Sequence, residues 1–235
     1  MATNKSLGQH WLNNRAILDE IADLARLKAP GGLSVEIGPG LGTLTASLLK
    51  RFDRVLAVEF DPKLAANLPG SFPGTNLKIV NEDILKFDFA FISEPYVVVG
   101  NIPYYITSPI VEKLLTLPNP PERIVLLMQK EVAERICSDK ESVLSLFVKN
   151  RALAKLGPVV PRSEFTPPPK VDSQVLILEP FKEPKYPDEL INLIKKAFKN
   201  PRKKLKHNLP DIPEEYADFR PSDLHLEDYY KIFLQ

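Results

Sequence analysis

The sequence predicts an α/β fold in which helices cover both faces of a parallel sheet, followed by a small helical segment. Short, continuously apolar segments alternate with stretches of helical periodicity along most of the chain. This alternation is the pattern of parallel strands that are buried on both faces. After Pro180 the apolar segments stop and helical periodicity remains, which indicates a change to a helical segment.

Seven strands are predicted in chain order. The first helix is expected over residues 15–27, where apolar side chains recur at helical spacing, and a helix of about 43–51 follows the first long strand. Continuously apolar segments predict buried strands at 33–37, 55–58, 77–80, 96–100 and 124–128. Two further strands are expected at 153–160 and 175–178.

The last part of the chain predicts a second, smaller domain. Residues 182–187, KEPKYP, are typical of a linker, and helices are expected at about 188–199, 201–209 and 223–234. A segment of about 50 residues forms too small a core to be stable alone. We therefore expect a sheet domain at 1–181 and a short helical domain at 182–235 that packs against it.

Composition excludes several classes of protein. The chain has 235 residues, of which 44% are hydrophobic and 26% charged, as expected of a globular protein. No apolar run approaches the roughly 20 residues of a membrane span, and the N-terminus lacks the apolar stretch of a secretory signal. A lone cysteine, Cys137, excludes an internal disulfide and favours a cytoplasmic location. The scattered His10, His207 and His225 form no metal-ligand pattern, so no metal is expected.

A glycine-rich turn, Glu36–Thr43 (EIGPGLGT), lies between the first long strand and the next helix. Gly38 and Gly40 let the backbone approach a ligand closely. The dinucleotide fingerprint G-x-G-x-x-G requires a glycine where Thr43 stands, and Glu36 disfavours a pyrophosphate. A nucleoside that carries a cationic amino acid suits the turn better. The alternative is a tight turn with no ligand.

Two acidic residues follow the next strands. Glu59 ends the second strand, 21 residues after Gly38, where an acid accepts hydrogen bonds from ribose hydroxyls. Asp83 ends the third strand and is placed to accept a hydrogen bond from an adenine amine. Either acid alone is more readily interpreted as a solvated strand end or a helix cap. Suitable groups at three successive strand ends favour a ligand site.

The segment Asn101–Tyr104 (NIPY) directly follows the fourth strand. An exocyclic adenine amine is a poor nucleophile because its lone pair is delocalised into the ring. The side-chain oxygen of Asn101 and the backbone carbonyl of Pro103 can accept both amine hydrogens and so favour a pyramidal nitrogen. Tyr104 offers a face on which an extruded base can stack. The alternative is a turn with an Asn cap and a core tyrosine.

With EIGPGLG before it, NIPY resembles the corresponding motif of the ribosomal RNA adenine N6-dimethyltransferases. Three more segments are similar to motifs of that family: Lys5–Leu12 (KSLGQHWL), Gln129–Ala133 (QKEVA) and Phe165–Ser173 (FTPPPKVDS). The last is the most specific of them. The resemblance extends from about Lys5 to Leu209 and implies a Rossmann-like, seven-stranded class I S-adenosylmethionine-dependent methyltransferase sheet with a small helical C-terminal domain.

The resemblance also implies roles for individual residues. It places S-adenosylmethionine, the co-substrate, against His10, Leu12, Gly38, Gly40, Glu59, Asp83 and Asn101. It makes Asn101, Pro103 and Tyr104 the catalytic corner, with Phe165 as a second aromatic face for the flipped base. Residues 1–181 would then be the catalytic domain, and 182–235 an RNA-binding domain.

Two branches of this family modify different RNAs. One dimethylates two adjacent adenosines near the 3′ end of small-subunit ribosomal RNA during ribosome biogenesis, and FTPPPKVDS favours it, as does Phe198–Leu209 (FKNPRKKLKHNL). The other modifies large-subunit RNA and confers macrolide resistance; the short chain and Asp83–Phe87 (DILKF) favour that one. A non-catalytic ribosome-assembly factor is a further alternative. DNA adenine methylation usually accompanies D-P-P-Y instead.

Several positions depart from the family pattern. His10 stands where the family usually has Asn, Pro201 replaces an Arg of the basic motif, and His207 replaces an Asn. Residues 137–145 lack a longer Gly/Tyr loop, and the C-terminal domain is abbreviated. These departures bear more on ribosome docking than on methyl transfer.

A basic segment is the expected RNA contact. Bulk charge gives no argument for nucleic acid, because the net charge is only +1. Between Leu190 and Pro210, however, there are basic residues and no acid, and phosphate contact is predicted for Lys199, Arg202, Lys203, Lys204 and Lys206. The alternative is a solvated helix face. The expected partner is an immature small ribosomal subunit, bound by a monomer.

Overall fold

The computed structural model describes residues 10–27 and 31–235, so most of the KSLGQHWL segment lies outside the described residues. The strands are β1 (Trp11–Leu12), β2 (Leu33–Ile37), β3 (Arg54–Glu59), β4 (Leu77–Asn81), β5 (Tyr96–Asn101), β6 (Arg123–Gln129), β7 (Ala152–Val160), β8 (Phe165–Thr166) and β9 (Ser173–Pro180). The helices are α1 (Arg15–Leu24), α2 (Thr45–Leu48), α3 (Pro62–Ser71), α4 (Thr107–Leu115), α5 (Lys130–Cys137), α6 (Val143–Arg151), α7 (Leu190–Ala197), α8 (Glu214–Ala217) and α9 (Leu226–Phe233).

The main sheet has seven strands in the order β4-β3-β2-β5-β6-β9-β7. The predicted strand count is confirmed, and β2 to β6 are parallel as expected. The expectation of a wholly parallel sheet is wrong for the last two strands, because β9 pairs antiparallel with both β6 and β7. A parallel pair needs a long crossover, usually a helix. Between β7 and β9 the chain instead forms a loop with one short 3-10 turn and β8.

Both faces of the sheet are covered, which the continuously apolar strands predicted. Neighbouring residues of a strand point to opposite faces, so Val98 lies in one hydrophobic core cluster and Val97 in another. Helix α4 packs on the first face through Ile110, and α1 packs on the second through Ile21. This arrangement leaves the carboxyl ends of the parallel strands open at one edge.

The helical domain shares a core with the sheet domain. Leu190 of α7, Leu226 and Tyr229 of α9, and Leu146 of α6 belong to one buried cluster. Hydrogen bonds also hold the linker, because the Asn150 side chain donates to the backbone carbonyl of Tyr186 and accepts from its N–H. Residues of 182–235 therefore pack against α6 of the sheet part, and the division into two domains stays a prediction.

A buried carboxylate of the sheet part, Glu141, contacts a side chain of the helical part. Glu141 is only 2% exposed and accepts hydrogen bonds from Lys149 Nζ and Ser145 Oγ, both at 2.6 Å. The ring of His225, from the helical domain, lies 3.4 Å from the same carboxylate. Because a buried carboxylate is stabilised only when it is paired, Lys149 and Ser145 hold Glu141 in place, and His225 is its contact from the helical part.

The expected helix at 201–209 is not observed. Only the 3-10 turn Leu205–His207 forms there. Pro201 disfavours helical geometry at Asn200, and the Asn208 side chain donates to the carbonyl of Ala197 at 2.8 Å, at the end of α7. The predicted helix at 43–51 is likewise shorter, with α-helical geometry only in α2. Within the described ranges, no helix is both long enough and apolar enough to span a bilayer.

Candidate active site

A cavity of about 240 Å³ opens at the carboxyl ends of the parallel strands. Ligands of open α/β sheets bind at this edge. The five groups on which the sequence prediction depends line this one cavity: Gly38, Glu59, Asp83, Asn101 and Pro103. The expected donor site and the expected amine-accepting corner are therefore adjacent, and the cavity has room for ligand.

The glycine turn has a backbone that other residues rarely adopt. Gly38 and Gly40 have φ values of 63° and 58°. A Cβ on Gly40 would lie 2.1 Å from a ring carbon of Trp11, whereas the Cβ position of Gly38 has no heavy atom within 4 Å. Glycine at position 40 thus lets the Trp11 ring close over the turn, and Gly38 leaves its backbone open to a ligand.

Glu59 is held by backbone amides. Its Oε2 accepts from the N–H of Gly40 at 3.0 Å, and its Oε1 accepts from the N–H of Asp61 at 2.8 Å. Burial raises the pKa of this carboxyl, and the two amides oppose that rise. Each oxygen keeps a lone pair, so a ribose diol can still be accepted. The backbone N–H of Gly40 is therefore already engaged in its hydrogen bond to Glu59.

Glu36 is buried in the cavity wall. It is 1% exposed, and the Thr45 hydroxyl donates to its Oε2 at 2.6 Å. Burial raises the pKa of Glu36 to about 8, and the nearby Glu59 carboxyl adds to the rise. The group is therefore mostly neutral at pH 7. A cationic ligand in the cavity favours its ionised form, because an opposite charge nearby lowers a carboxyl pKa.

Asp83 is half-buried at the end of β4. Its Oδ1 accepts from the backbone N–H of Leu85 at 2.9 Å, which orients the carboxyl as the cap of a turn. Asp83 therefore caps a turn and also lines the cavity, with one carboxylate oxygen left over. Its hydrogen bond to an adenine amine stays a prediction.

Asn101 has a defined amide orientation. Its Nδ2 donates to the backbone carbonyl of His10 at 3.0 Å. Because a carbonyl can only accept a hydrogen bond, the atom of the Asn101 side chain that faces it is the amide nitrogen. The Oδ1 atom is left as an acceptor. The Pro103 carbonyl accepts the N–H of Ile106 at 3.2 Å, and its second lone pair remains.

Tyr104 lines the cavity and is fixed by its hydroxyl, which lies 2.8 Å from Ser173 Oγ. Burial raises the pKa of Tyr104, so the phenol is neutral. Phe165 differs from its expected placement. Its side chain is 3% exposed and lies in the hydrophobic core. Phe165 belongs to β8, which pairs with β1 so that Phe165 lies opposite Leu12. Phe165 does not line the cavity, and its role as a second aromatic face stays a prediction.

The structure adds residues that the sequence prediction missed. Trp11, Phe60 and Tyr105 also line the cavity. Phe60 and Tyr105 are 60% and 65% exposed, which is unusual for aromatic side chains. Phe60 directly follows Glu59, and Tyr105 directly follows Tyr104. An aromatic residue next to a strand-end motif is therefore the signal that could have found them.

An acidic residue from outside the basic segment forms ion pairs with two of its lysines. Asp218 lies 3.0 Å from Lys204 Nζ and 2.8 Å from Lys206 Nζ. Hydrogen bonds from these two lysines lower the pKa of Asp218 to about 2. Lys199, Arg202 and Lys203 are exposed and form no ion pair within the described residues. The absence of acids between 190 and 210 therefore overstates the free positive charge.

Metal ligands are not grouped in the described part of the chain: no cluster of three or more His, Cys, Asp or Glu side chains occurs there.

Two known proteins with similar sequences carry the same name. Ribosomal RNA small subunit methyltransferase A of Synechococcus elongatus is 39% identical over 232 residues, which cover 90% of this chain and 83% of that protein. The protein of the same name from Rippkaea orientalis is 42% identical over 228 residues, 88% of this chain and 84% of the relative.

Two solved structures have the same class I methyltransferase fold. A dimethyladenosine transferase from Plasmodium falciparum has a TM-score of 0.82 at 27% identity and covers 96% of each chain. The 23S rRNA methyltransferase ErmE has a TM-score of 0.77 at 27% identity, over 95% of this chain and 98% of that one. A family model described as ribosomal RNA adenine dimethylase matches residues 1–219. The chain belongs to the ribosomal RNA adenine dimethylase family.

Proposed function

We propose that this chain transfers methyl groups from S-adenosylmethionine to N6 of two adjacent adenosines near the 3′ end of small-subunit ribosomal RNA. One observation carries the chemistry: the Asn101 amide is turned so that its oxygen stays available in the cavity that Glu59 and Asp83 also line. The names of the relatives from Synechococcus elongatus and Rippkaea orientalis support the choice of the small subunit.

The donor side of the site fits S-adenosylmethionine. Gly38 offers open backbone to the amino-acid end, Glu59 has lone pairs for the ribose, and Asp83 has an oxygen for the adenine amine. We assign His10, Leu12 and Gly40 to the walls of this site. Bound S-adenosylmethionine supplies a methyl group on a positively charged sulfur.

The acceptor side makes the adenine amine a better nucleophile. Asn101 Oδ1 and the Pro103 carbonyl each accept one amine hydrogen, which holds the nitrogen pyramidal with its lone pair toward the donor. Tyr104 stacks on the base. Positioning of this kind contributes up to about 7–11 kcal/mol in well-oriented systems. No strong base is required, because the amine proton becomes acidic as the N–C bond forms and leaves to solvent.

The helical domain is assigned to RNA contact. Lys199, Arg202 and Lys203 are cations of the basic segment that form no ion pair in the described structure, and Lys204 and Lys206 join them where phosphate competes with Asp218. The proposed partner is an immature small subunit, met in the cytoplasm by a monomer.

Labelled donor tests this function directly. Immature small subunits and large subunits are incubated separately with the protein, and the RNA is digested and analysed by mass spectrometry. We expect N6,N6-dimethyladenosine at two neighbouring positions of small-subunit RNA, and none with Asn101→Ala. Asn119→Ala, in a distant loop where its side chain contacts the Ile92 carbonyl, is the matched control and stays active.

The other outcomes select the alternatives. Label in large-subunit RNA alone would place the chain with the macrolide-resistance branch, which modifies that RNA; the 23S rRNA methyltransferase ErmE is one structural neighbour, with a TM-score of 0.77. No label in either RNA, with donor binding retained, would favour a non-catalytic assembly factor.

A further inference from the structure

We propose that Asn14 and Glu164 are positioning residues for methyl transfer, because they clamp the strand that walls the donor side of the cavity to the loop that supports the acceptor side. This inference rests on the proposed function. The loop, residues 161–172 between β7 and β9, is the acceptor loop. Neither Asn14 nor Glu164 lines the cavity, so each acts through the groups that it holds.

The strand on the donor side is β1. Its two residues, Trp11 and Leu12, line the cavity together with His10. The Trp11 ring packs on the glycine turn, where a Cβ on Gly40 would lie 2.1 Å from a ring carbon. A donor that enters the cavity therefore meets β1 as one of its walls.

The acceptor loop supports the groups that would hold the target base. The carbonyl of Pro167 lies 2.7 Å from His10 Nδ1, and Ser173, directly after the loop, has its Oγ 2.8 Å from the Tyr104 hydroxyl. The backbone carbonyl of His10 in turn accepts from the Asn101 amide at 3.0 Å. The position of the loop relative to β1 therefore affects both Tyr104 and Asn101.

Side-chain hydrogen bonds clamp β1 to the loop. Asn14 Nδ2 donates to Glu164 Oε2 at 2.8 Å, and Asn13 Nδ2 donates to Thr166 Oγ1 at 3.3 Å. Asn14 Oδ1 also caps helix α1, which anchors the clamp to the sheet domain. The strands β1 and β8 pair over two residues each. Because a two-stranded ribbon is marginally stable by itself, the side-chain bonds decide how firmly the loop is held.

The clamp couples the two sides of the cavity. A donor that fixes β1 also restricts the acceptor loop, because the two are joined by these hydrogen bonds. Direct contact with the donor does not explain such an effect, since no residue of the acceptor loop, all of which the structure describes, lines the cavity. Donor binding should therefore order the loop before any RNA is present, and a free energy of coupling between the two sites is the measurable quantity.

Two double variants test the clamp. Glu164→Ala with Thr166→Val (the Ala/Val variant) removes both acceptors of the loop, whereas Glu164→Gln with Thr166→Ser (the Gln/Ser variant) keeps an acceptor at each position. Both leave Asn14 and its helix cap in place. S-adenosylhomocysteine, the donor without its methyl group, is added at saturating concentration. Amide hydrogen exchange of residues 162–166 is then followed by mass spectrometry, with helix α9 of the helical part as the internal reference.

The expected result needs no RNA. In wild type, S-adenosylhomocysteine should slow exchange at 162–166 by about fivefold or more, the lower end of usual coupling between two sites. The Ala/Val variant should lose this effect and the Gln/Ser variant should keep it, with α9 alike in all three proteins. Methylation of small subunits at saturating donor should fall by roughly tenfold in the Ala/Val variant and recover in the Gln/Ser variant, since a displacement of about 1 Å can slow a reaction by up to about 100-fold.

Several results would overturn the clamp. It is refuted if S-adenosylhomocysteine leaves exchange of the loop unchanged in wild type, if the Ala/Val variant keeps the full effect, or if the Gln/Ser variant does not restore it. Should exchange of α9 also rise in the Ala/Val variant, the single substitutions Glu164→Ala and Thr166→Val are compared instead, and a full effect in both refutes the clamp. Wild-type protein that shows the loop effect yet leaves small subunits unlabelled would refute the proposed target and leave the clamp intact.

Discussion

Glu36 makes the stability of the fold depend on pH. Its carboxyl is buried, and its folded pKa of about 8 lies above the ordinary value of 4.5. The folded state therefore holds more protons between these two pH values, and stability is lost as pH rises through that window. One pKa unit corresponds to about 1.4 kcal/mol. The contribution of Glu36 thus falls by about 4 kcal/mol between pH 5 and pH 9.

Glu36→Gln removes this dependence and keeps an acceptor for the Thr45 hydroxyl. Urea unfolding at pH 5 and pH 9 gives the free energy of unfolding of both proteins. We expect Glu36→Gln to gain about 4 kcal/mol relative to wild type between these pH values. Glu183→Gln, which changes an exposed carboxyl of the linker, should run parallel to wild type. Equal pH dependence in wild type and Glu36→Gln would refute the argument that burial keeps this carboxyl neutral.

Three further predictions concern the glycine turn, the basic segment and the domain joint. Gly40→Ala forces a φ of 58° on a residue with a Cβ and pushes Trp11 away. Because the left-handed region alone costs about 1–2 kcal/mol, donor affinity measured by calorimetry should fall about tenfold or more. An unchanged affinity would show that the turn does not shape the donor site. Asp218→Asn frees Lys204 and Lys206, so RNA affinity in filter binding should rise and its dependence on salt concentration should steepen. Lys203→Ala should flatten that dependence by about one log unit. An unchanged salt dependence in both variants would show that the basic segment does not contact the RNA. Glu141→Ala leaves Lys149 without its ion-pair partner and removes the contact of His225 with the sheet part. Thermal unfolding should show a loss of at least about 2 kcal/mol, and the unfolding transitions of the two parts should separate. A change under about 0.5 kcal/mol, typical of surface sites, would show that this carboxylate does not hold the joint.

Local pattern predicted the sheet well. The five parallel strands were found because a strand buried on both faces is continuously apolar, and that property is written in consecutive residues. The strand-end groups were found for a related reason: the carboxyl ends of parallel strands meet at one edge, so Glu59, Asp83 and Asn101 had to lie near one another. The strand β9 was predicted at 175–178, but its antiparallel direction was not, because strand direction depends on the connection and not on the strand itself.

The sequence by itself determined the strands of the sheet and indicated Glu59, Asp83 and Asn101–Tyr104 as the predicted donor-binding and amine-accepting groups, since each is encoded in a short stretch of chain. Only the tertiary structure decided which side chains face one another across long separations. His10 meets the Pro167 carbonyl across 157 residues, and Asp218 meets Lys204 across 14, where no local pattern links them. The same long-range packing buried Phe165 and set His10 opposite Tyr104, because side-chain partners in a packed core are fixed by how distant elements fit together rather than by their spacing in the chain.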